Sequence, residues 1–474
     1  MSEDRFATDG PGAERFGSVA AVLANAGRAC VVRGDCMELG TLIPESSIDA
    51  LVTDPPSGIS FMGKAWDGDK GGRDQWVQWL CERMRLAFHL LKPGAHALVW
   101  AIPRTSHWTA TAIENAGFEI RDVGIHLFGS GFPKSMDVSK AIDDALGAER
   151  VVTGQHDSPL PGAGGVYAQD AWSQMAREER VPRHDVPATE EAARWQGWGT
   201  ALKPAAEHWI LARKPLAGTV ARNVLEHGTG GLNIEACRIG TTGSMRAMPG
   251  EPPSYKNLIY GRGMGGVPRN PDAVCGRWPA HVTLDEEAAE MLDEQSGVQK
   301  DGVATNHNRK AGVVPQGYVY EGGWKARTED VGYGGGGGAS RYFYVAKPAR
   351  SEKETGLRHL EPRTGTEITG RAEDSAGINH PRAGAGARSG ARNSHPTVKP
   401  VELMRWLCKL ITPPGGVVLD MFAGSGTTLV AALDEDFRAI GCELDLEGEY
   451  LPILIGRVTE ALGRHKQIEL FGGM

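Results

Sequence analysis

Apolar residues along the chain fall into short continuous runs separated by amphipathic stretches, and this alternation is regular at both ends and lost in the middle. Residues 30–33, 48–52, 95–102, 119–128, 209–213, 417–419 and 438–442 read as strands. Several are almost wholly apolar, as strands covered on both faces are. Apolar positions at helical spacing mark residues 73–91 (Trp76, Trp79, Leu80, Met84, Ala87, Leu90, Leu91), with Lys92-Pro93-Gly94 as the stop. Ser106 opens a second helix that runs to Ala116, and residues 401–411 and 429–433 form two more. Strands and helices alternating at these lengths predict an α/β protein with a mostly parallel sheet.

The interruptions divide the chain. Residues 1–27, with Gly, Pro and Ala, predict a flexible leader. Residues 28–216 hold the first set of elements, broken by an irregular insertion near 129–200 in which only 138–146 and 189–195 look helical. From 217 to 392 glycine is frequent and arginines are spread singly, with five glycines at 334–338 and an aromatic strand expected at 341–345. Order returns over 393–474.

Composition narrows the picture only a little. A hydrophobic content of 41% and a charged content of 23% are globular values, and the 64 glycines in 474 residues, about twice average usage, are too unevenly placed for a fibrous repeat. The net charge of −8 gives no global attraction to nucleic acid, so any polyanion must meet a local basic surface. Residues 341–399 carry eleven Lys and Arg against six Asp and Glu, an excess of five. Seven cysteines, never spaced Cys-x-x-Cys, argue against a disulfide framework or a zinc site and for a reducing cytoplasm. No secretory signal or membrane span is visible, so a soluble protein with no bound metal is expected.

Two stretches carry candidate chemistry. The run at 48–52 ends at Thr53-Asp54-Pro55-Pro56-Ser57, where two prolines stop the strand and remove two amide donors. An acid is thereby fixed at a strand's carboxyl end, where open α/β sheets bind ligands. The Asp54 carboxylate and the Pro55 carbonyl can offer two convergent acceptors, whose natural guest is an NH2 group. The second stretch is a strand ending in Asp420, then Phe422-Ala423-Gly424-Ser425-Gly426-Thr427-Thr428 opening a helix, with Glu443 at the end of the next strand. Strand, Gly-x-Gly turn, helix and a strand-end acid about twenty residues on form an adenosine-binding pattern. No Lys follows Gly426, which excludes a Walker-type phosphate loop, and the third glycine of a dinucleotide site is missing. S-adenosylmethionine, which needs no phosphate cradle, remains.

Thr53-Asp54-Pro55-Pro56-Ser57, the turn at 420–428 and His395-Pro396-Thr397-Val398-Lys399-Pro400 together resemble the β-group amino-methylating DNA methyltransferases, in which the catalytic motif precedes the cofactor motif. The resemblance covers about 28–135, 200–214 and 393–445. It implies a doubly wound, mostly parallel, seven-stranded sheet of the S-adenosylmethionine methyltransferase type, with circularly permuted motif order. The catalytic half is then 28–216, the cofactor-binding half 393–474, and 217–392 a large irregular inserted target-recognition region.

Carried over residue by residue, the resemblance implies that Asp54, Pro55, Pro56 and Ser57 hold the target amino group. Phe422, Gly424 and Gly426 would line the cofactor with Asp420, Ser425 and Thr427, Glu443 would hold its ribose, and Asp35 with Cys36 would meet the adenine ring. Thr397 and Lys399 would close over the methionine end. Position 57 is usually aromatic in that family and stacks on the flipped base, so Phe61 or Trp66 is expected to substitute. Arg341, Arg350, Arg382, Arg388 and Arg392 are candidates for phosphate or base contact.

The implied activity is methyl transfer to an exocyclic amine of a flipped base in double-stranded DNA, with Asp54 favouring adenine N6 over cytosine N4. Methylation at carbon 5 is not expected, because no Pro-Cys pair exists. RNA or protein-glutamine methylation and a catalytically weak DNA-binding relative are the alternatives, and a homodimer is compatible with all of them.

Overall fold

The computed structural model describes residues 15–129, 131, 135–155, 183–240, 277–300, 303–304, 331–332, 336–346, 350–369, 390–445 and 448–471. Ten of its strands share one sheet. In chain order they are β1 (Arg15–Phe16), β2 (Ala29–Arg33), β3 (Ile48–Thr53), β4 (Leu91–Ala101), β5 (Glu119–Leu127), β6 (Ala206–Arg213), β7 (Val282–Asp285), β8 (Tyr344–Ala346), β9 (Val417–Asp420) and β10 (Arg438–Glu443). Across the sheet they run β1-β2-β10-β9-β3-β4-β6-β5-β7-β8. All are parallel except β1, at one edge, and β6, which lies antiparallel between β4 and β5. Although β9 and β10 come last in the chain, they sit at the centre, between β2 and β3.

The sheet is covered on both faces because successive side chains in a strand alternate sides. On one face Cys30, Val32, Leu51, Val99, Leu419 and Ile440 meet α1 (Val19–Leu23), α2 (Arg73–Leu90) and α3 (Ser106–Asn115). On the other, Val31, Val52, Leu98, Trp100 and Val418 meet α6 (Val401–Ile411), α7 (Thr427–Asp434) and α8 (Leu451–Phe471). Two further helices, α4 (Val138–Leu146) and α5 (Glu286–Ser296), lie outside these layers in sequence. Asp49 is buried inside β3, and its carboxylate takes Lys92 Nζ at 2.5 Å and the Val417 N–H at 2.8 Å. A buried carboxylate is tolerated there because both oxygens are paired, and it locks β9 against β3.

Four expectations need correction. The sheet has ten strands rather than seven: the seven from β2 to β5 are joined by the short edge strands β1, β7 and β8. The described end of the leader is structured, since β1 pairs with β2, and Val19 and Val22 of α1 are buried in the core. The aromatic strand placed at 341–345 is shifted: Ala339–Tyr342 is a 3-10 turn, and pairing begins only at Tyr344. Nor is 217–392 irregular throughout, because β7 and β8 pair with each other and β7 pairs with β5. Within the interval expected to be irregular, α4 forms as placed, and the buried Asp143 binds Arg150 at 2.6 Å and the Thr189 hydroxyl at 2.7 Å.

Candidate active site

The carboxyl ends of β2, β10, β9, β3 and β4 open into one cleft of about 1860 Å³. That exceeds the usual 300–1,000 Å³ of a small-molecule pocket, so two guests can share it. Its walls include Asp35, Cys36, Asp54, Pro55, Pro56, Ser57, Phe61, Trp66, Thr397, Lys399, Asp420, Phe422, Gly424, Ser425, Thr427 and Glu443. Of the expected site residues only Gly426 is off the wall. It caps α7 with φ +78°, and a Cβ there would come within 3.0 Å of Leu454.

The two motif strands are tied where they end. Thr53 Oγ1 donates to Asp420 Oδ1 at 2.7 Å and accepts the Met421 N–H at 3.2 Å, and the Phe422 N–H donates to the same carboxylate oxygen at 3.1 Å. Asp420 therefore shapes the turn beneath the cleft. Gly424 follows with φ +51°, and a Cβ there would stand 2.8 Å from His395 Nε2. The Thr397 N–H points to His395 Nδ1 at 3.3 Å, which assigns the ring proton to Nε2. Burial, reinforced by Lys399 and Arg457, lowers His395 to about 3, so the ring stays neutral.

Glu443 Oε2 accepts the Gly424 N–H at 2.6 Å, linking the turn to the end of β10. Burial raises its carboxyl to about 7 against the pull of that N–H and the Asp445 N–H. Asp35 caps the short turn Cys36–Glu38 by accepting the Met37 N–H at 2.9 Å, and it pairs with Arg83 at 3.2 Å. Arg83 lies 4.3 Å from the Trp79 ring, which meets Phe422 at 5.8 Å, so a cationic and aromatic wall stands between Asp35 and the glycine turn.

On the other side of the cleft, Asp54 Oδ2 takes Lys399 Nζ at 2.9 Å. Burial raises Asp54 to about 6, with Lys399 opposing it. The Lys399 ammonium also stands 3.8 Å from the Trp100 ring, whose Nε1–H donates to Glu207 at 2.9 Å. The resemblance put Lys399 over the methionine end of a cofactor, whereas here its charge faces Asp54.

Position 57 has a different task from an aromatic one. The buried carboxylate of Asp67 accepts the Ser57 N–H and receives the Ser57 hydroxyl at 3.0 Å, the Gly58 N–H at 3.2 Å and the Phe61 N–H at 2.7 Å. Gly58, with φ +73°, packs so closely on Trp76 that a Cβ would reach its Nε1 at 2.7 Å. The Thr105 hydroxyl donates to the Ser57 carbonyl at 3.0 Å. The loop after the motif is thus pinned, and Phe61 and Trp66 both border the cleft.

Sequence reasoning missed Asp67, Trp100, Glu207 and Arg457. Arg457, 2% exposed, reaches from α8 to the Ser425 carbonyl at 2.8 Å and Thr427 Oγ1 at 2.9 Å, holding the glycine turn from behind. No local pattern announces it; only the Trp-Asp-Gly at 66–68 was a turn signal that could have flagged Asp67. Of the arginine candidates, Arg341 is engaged in its own region with the Gln299 carbonyl at 2.8 Å and Tyr342 Oη at 3.0 Å. Arg392 borders the cleft and donates to the Leu360 carbonyl at 3.0 Å. The side chain of Arg350 and all of Arg382 and Arg388 lie outside the described residues.

Fold and site together define a doubly wound α/β protein with a cleft over its central strands, lined on one side by the Gly424 turn and Glu443 and on the other by the partly buried Asp54. Residues 289–453 match the N6_N4_Mtase family model, described as DNA methylase. Among curated proteins, the putative methylase YubD of Escherichia coli (strain K12) is 54% identical over 56 residues, 12% of this chain and 24% of that protein. The type II methyltransferase M.ScaI of Streptomyces caespitosus is 36% identical over 76 residues, 16% of this chain and 24% of that protein. The chain thus spans about a quarter of the length of the curated relatives it matches.

Among solved structures, PvuII DNA methyltransferase (cytosine-N4-specific) aligns over 92% of both chains at 12% identity and a TM-score of 0.37. The putative DNA modification methylase TTHA0409 of Thermus thermophilus, complexed with S-adenosyl-L-methionine, aligns over 91% of this chain and 95% of its own at 14% identity and a TM-score of 0.33. Among the described residues, no helix is long and apolar enough to cross a membrane, and no group of three or more His, Cys, Asp or Glu could hold a metal ion.

Proposed function

We propose that this chain transfers a methyl group from S-adenosylmethionine to the exocyclic amino group of a base in double-stranded DNA, with adenine N6 favoured over cytosine N4. The observation that carries the reading is the placement of Asp54-Pro55-Pro56 and of the Gly424–Glu443 cradle at the ends of adjacent strands, in one cleft large enough for both guests.

The residues suit the cofactor. Gly424 packs against His395 so closely that no Cβ fits, keeping the backbone of the turn at the cleft, Glu443 offers a carboxylate for ribose hydroxyls, and Trp79 with Phe422 supplies an apolar wall near Asp35. Bound there, S-adenosylmethionine would supply an electrophilic methyl on a sulfonium. Asp54 would accept a hydrogen of the target amine and help free its lone pair from the ring. As the nitrogen took the methyl in place of sulfur, Asp54 would hold the amine's hydrogen and pass the surplus proton on to solvent. A fixed anion beside a nitrogen that gains positive charge favours the transition state over the neutral ground state. A duplex base is out of reach in the stack, so it must be flipped into the cleft. Phe61 and Trp66 would stack on it, and residues 217–392 would read the site around it.

The test is to incubate the purified chain with unmethylated bacterial DNA and labelled S-adenosylmethionine and to identify the modified nucleoside by mass spectrometry, with Asp54→Ala as control. N6-methyladenine lost in the control is expected. N4-methylcytosine would keep the mechanism and change the base. Cofactor binding with no labelled DNA would overturn the reading.

A further inference from the structure

We propose that Lys399 is a positioning residue for Asp54: it holds one carboxylate oxygen and so aims the other at the amine to be methylated. The inference rests on the proposed reaction and departs from the expectation that Lys399 closes over the cofactor.

The geometry is specific to one oxygen. Lys399 Nζ lies 2.9 Å from Asp54 Oδ2, while Oδ1 takes no hydrogen bond from the described residues. A carboxylate at the end of a strand can rotate about its last bond. One strong charge-assisted contact removes that freedom. The ammonium is in turn fixed from below, 3.8 Å from the Trp100 ring, and Trp100 is fixed by its hydrogen bond to Glu207 at 2.9 Å. Thus β3, β4, β6 and the segment before α6 each contribute one member of a chain that ends at the reacting acid.

The charges around Asp54 explain why a cation is needed there. Glu207 and Asp420 both raise its carboxyl, in the same direction as burial, and Lys399 alone lowers it. Burial lowers the neighbouring His126 and His395 whether or not Lys399 is there, so neither imidazole is a substitute cation. With Lys399 gone, Asp54 would face two acids and two neutral rings, and its protonated form would spread towards neutral pH. A protonated Asp54 no longer offers the amine a charged acceptor.

The experiment compares the chain of 474 residues with its Lys399→Met and Lys399→Arg variants. Cofactor affinity is measured by calorimetry and turnover at saturating S-adenosylmethionine against pH. The Asp54 carboxyl is followed by its infrared stretching band, assigned with Asp54→Asn. Lys399→Met should lower kcat on the order of 10- to 100-fold and leave cofactor Kd within about twofold, a smaller change than losing one hydrogen bond to a charged group gives. The Asp54 band midpoint should move upward by about one to three pH units, and Lys399→Arg should recover most of both. A loss of cofactor affinity with kcat and the midpoint unchanged would overturn the proposal and return Lys399 to the cofactor. Failure of the wild type to methylate DNA would sink the functional reading instead, and the infrared midpoint would still decide whether Lys399 governs Asp54.

Discussion

Thr53 and Asp420, separated by 367 positions, meet through a 2.7 Å hydrogen bond at the point where both motif strands end. The threonine hydroxyl also accepts the Met421 N–H at 3.2 Å, so one side chain satisfies an acid and an amide in a place with little water. Leaving buried polar groups without partners costs about 1–3 kcal/mol each. Thr53→Val, which keeps the shape, should therefore lower stability by about 2–4 kcal/mol in urea denaturation and weaken cofactor binding, because Asp420 also shapes the turn through the Phe422 N–H. Unchanged stability with normal cofactor binding would show that the two strands are aligned by the sheet alone.

Asp67 is the corresponding anchor of the loop that follows Pro56. It gathers three backbone N–H groups and the Ser57 hydroxyl on one buried carboxylate. Asp67→Ala strands these donors, and Asp67→Asn brings an NH2 group that opposes them. Both variants should lose turnover on DNA by about tenfold or more, the effect of a misplaced reacting group, while cofactor affinity measured by calorimetry stays near that of wild type. An equal loss of cofactor affinity would mean that the loop also shapes the other half of the cleft.

Most of the sheet was legible because its strands are buried on both faces and its helices are amphipathic, signals that lie within a few residues of one another. Asp54, Glu443 and the Gly424 turn were legible for the same reason: strand ends and positive-φ turns are written locally. The partners of these residues were not. Lys399 meets Asp54, Arg457 meets Ser425 and Trp100 meets Glu207 only after distant strands and helices have packed. The short edge strands β1 and β7 were illegible for another reason, since β1 has two residues and β7 four. Their pairing is dictated by the sheet edge they meet.

The Ser57 hydroxyl is turned to Asp67, and Phe61 and Trp66 stand on the cleft border, where on the proposed reading they would stack on a flipped base. An aromatic ring stacked on a base contributes about 1–3 kcal/mol. Replacing the ring that stacks with Ala should weaken DNA binding about 5- to 150-fold, read by fluorescence of 2-aminopurine placed at the target position. Cofactor affinity should not move. If Phe61→Ala and Trp66→Ala both leave turnover and base fluorescence unchanged, neither ring replaces the missing aromatic at position 57.

Glu443 gives the cleft a pH dependence whose sign follows from its burial. Its carboxyl rises from an ordinary 4.5 to about 7, so between these values the folded chain binds more protons than the unfolded one. The associated stability is fully present below 4.5 and is lost as pH rises to about 7. The side chain is only half-buried by surface area, so screening limits the change to about 1–3 kcal/mol. Glu443→Gln should remove this part of the pH slope, measured as the wild-type minus variant difference in urea stability at pH 5 and pH 8. Binding of the cofactor should run the other way. On the proposed reading, only the ionised carboxylate would accept from both ribose hydroxyls while it holds the Gly424 N–H at 2.6 Å. Wild-type affinity for S-adenosylmethionine should therefore strengthen as pH rises through about 7, and Glu443→Gln should bind more weakly with little dependence on pH. If the variant keeps the wild-type dependence, the titrating group lies elsewhere in the cleft, with Asp54 at about 6 the next to test.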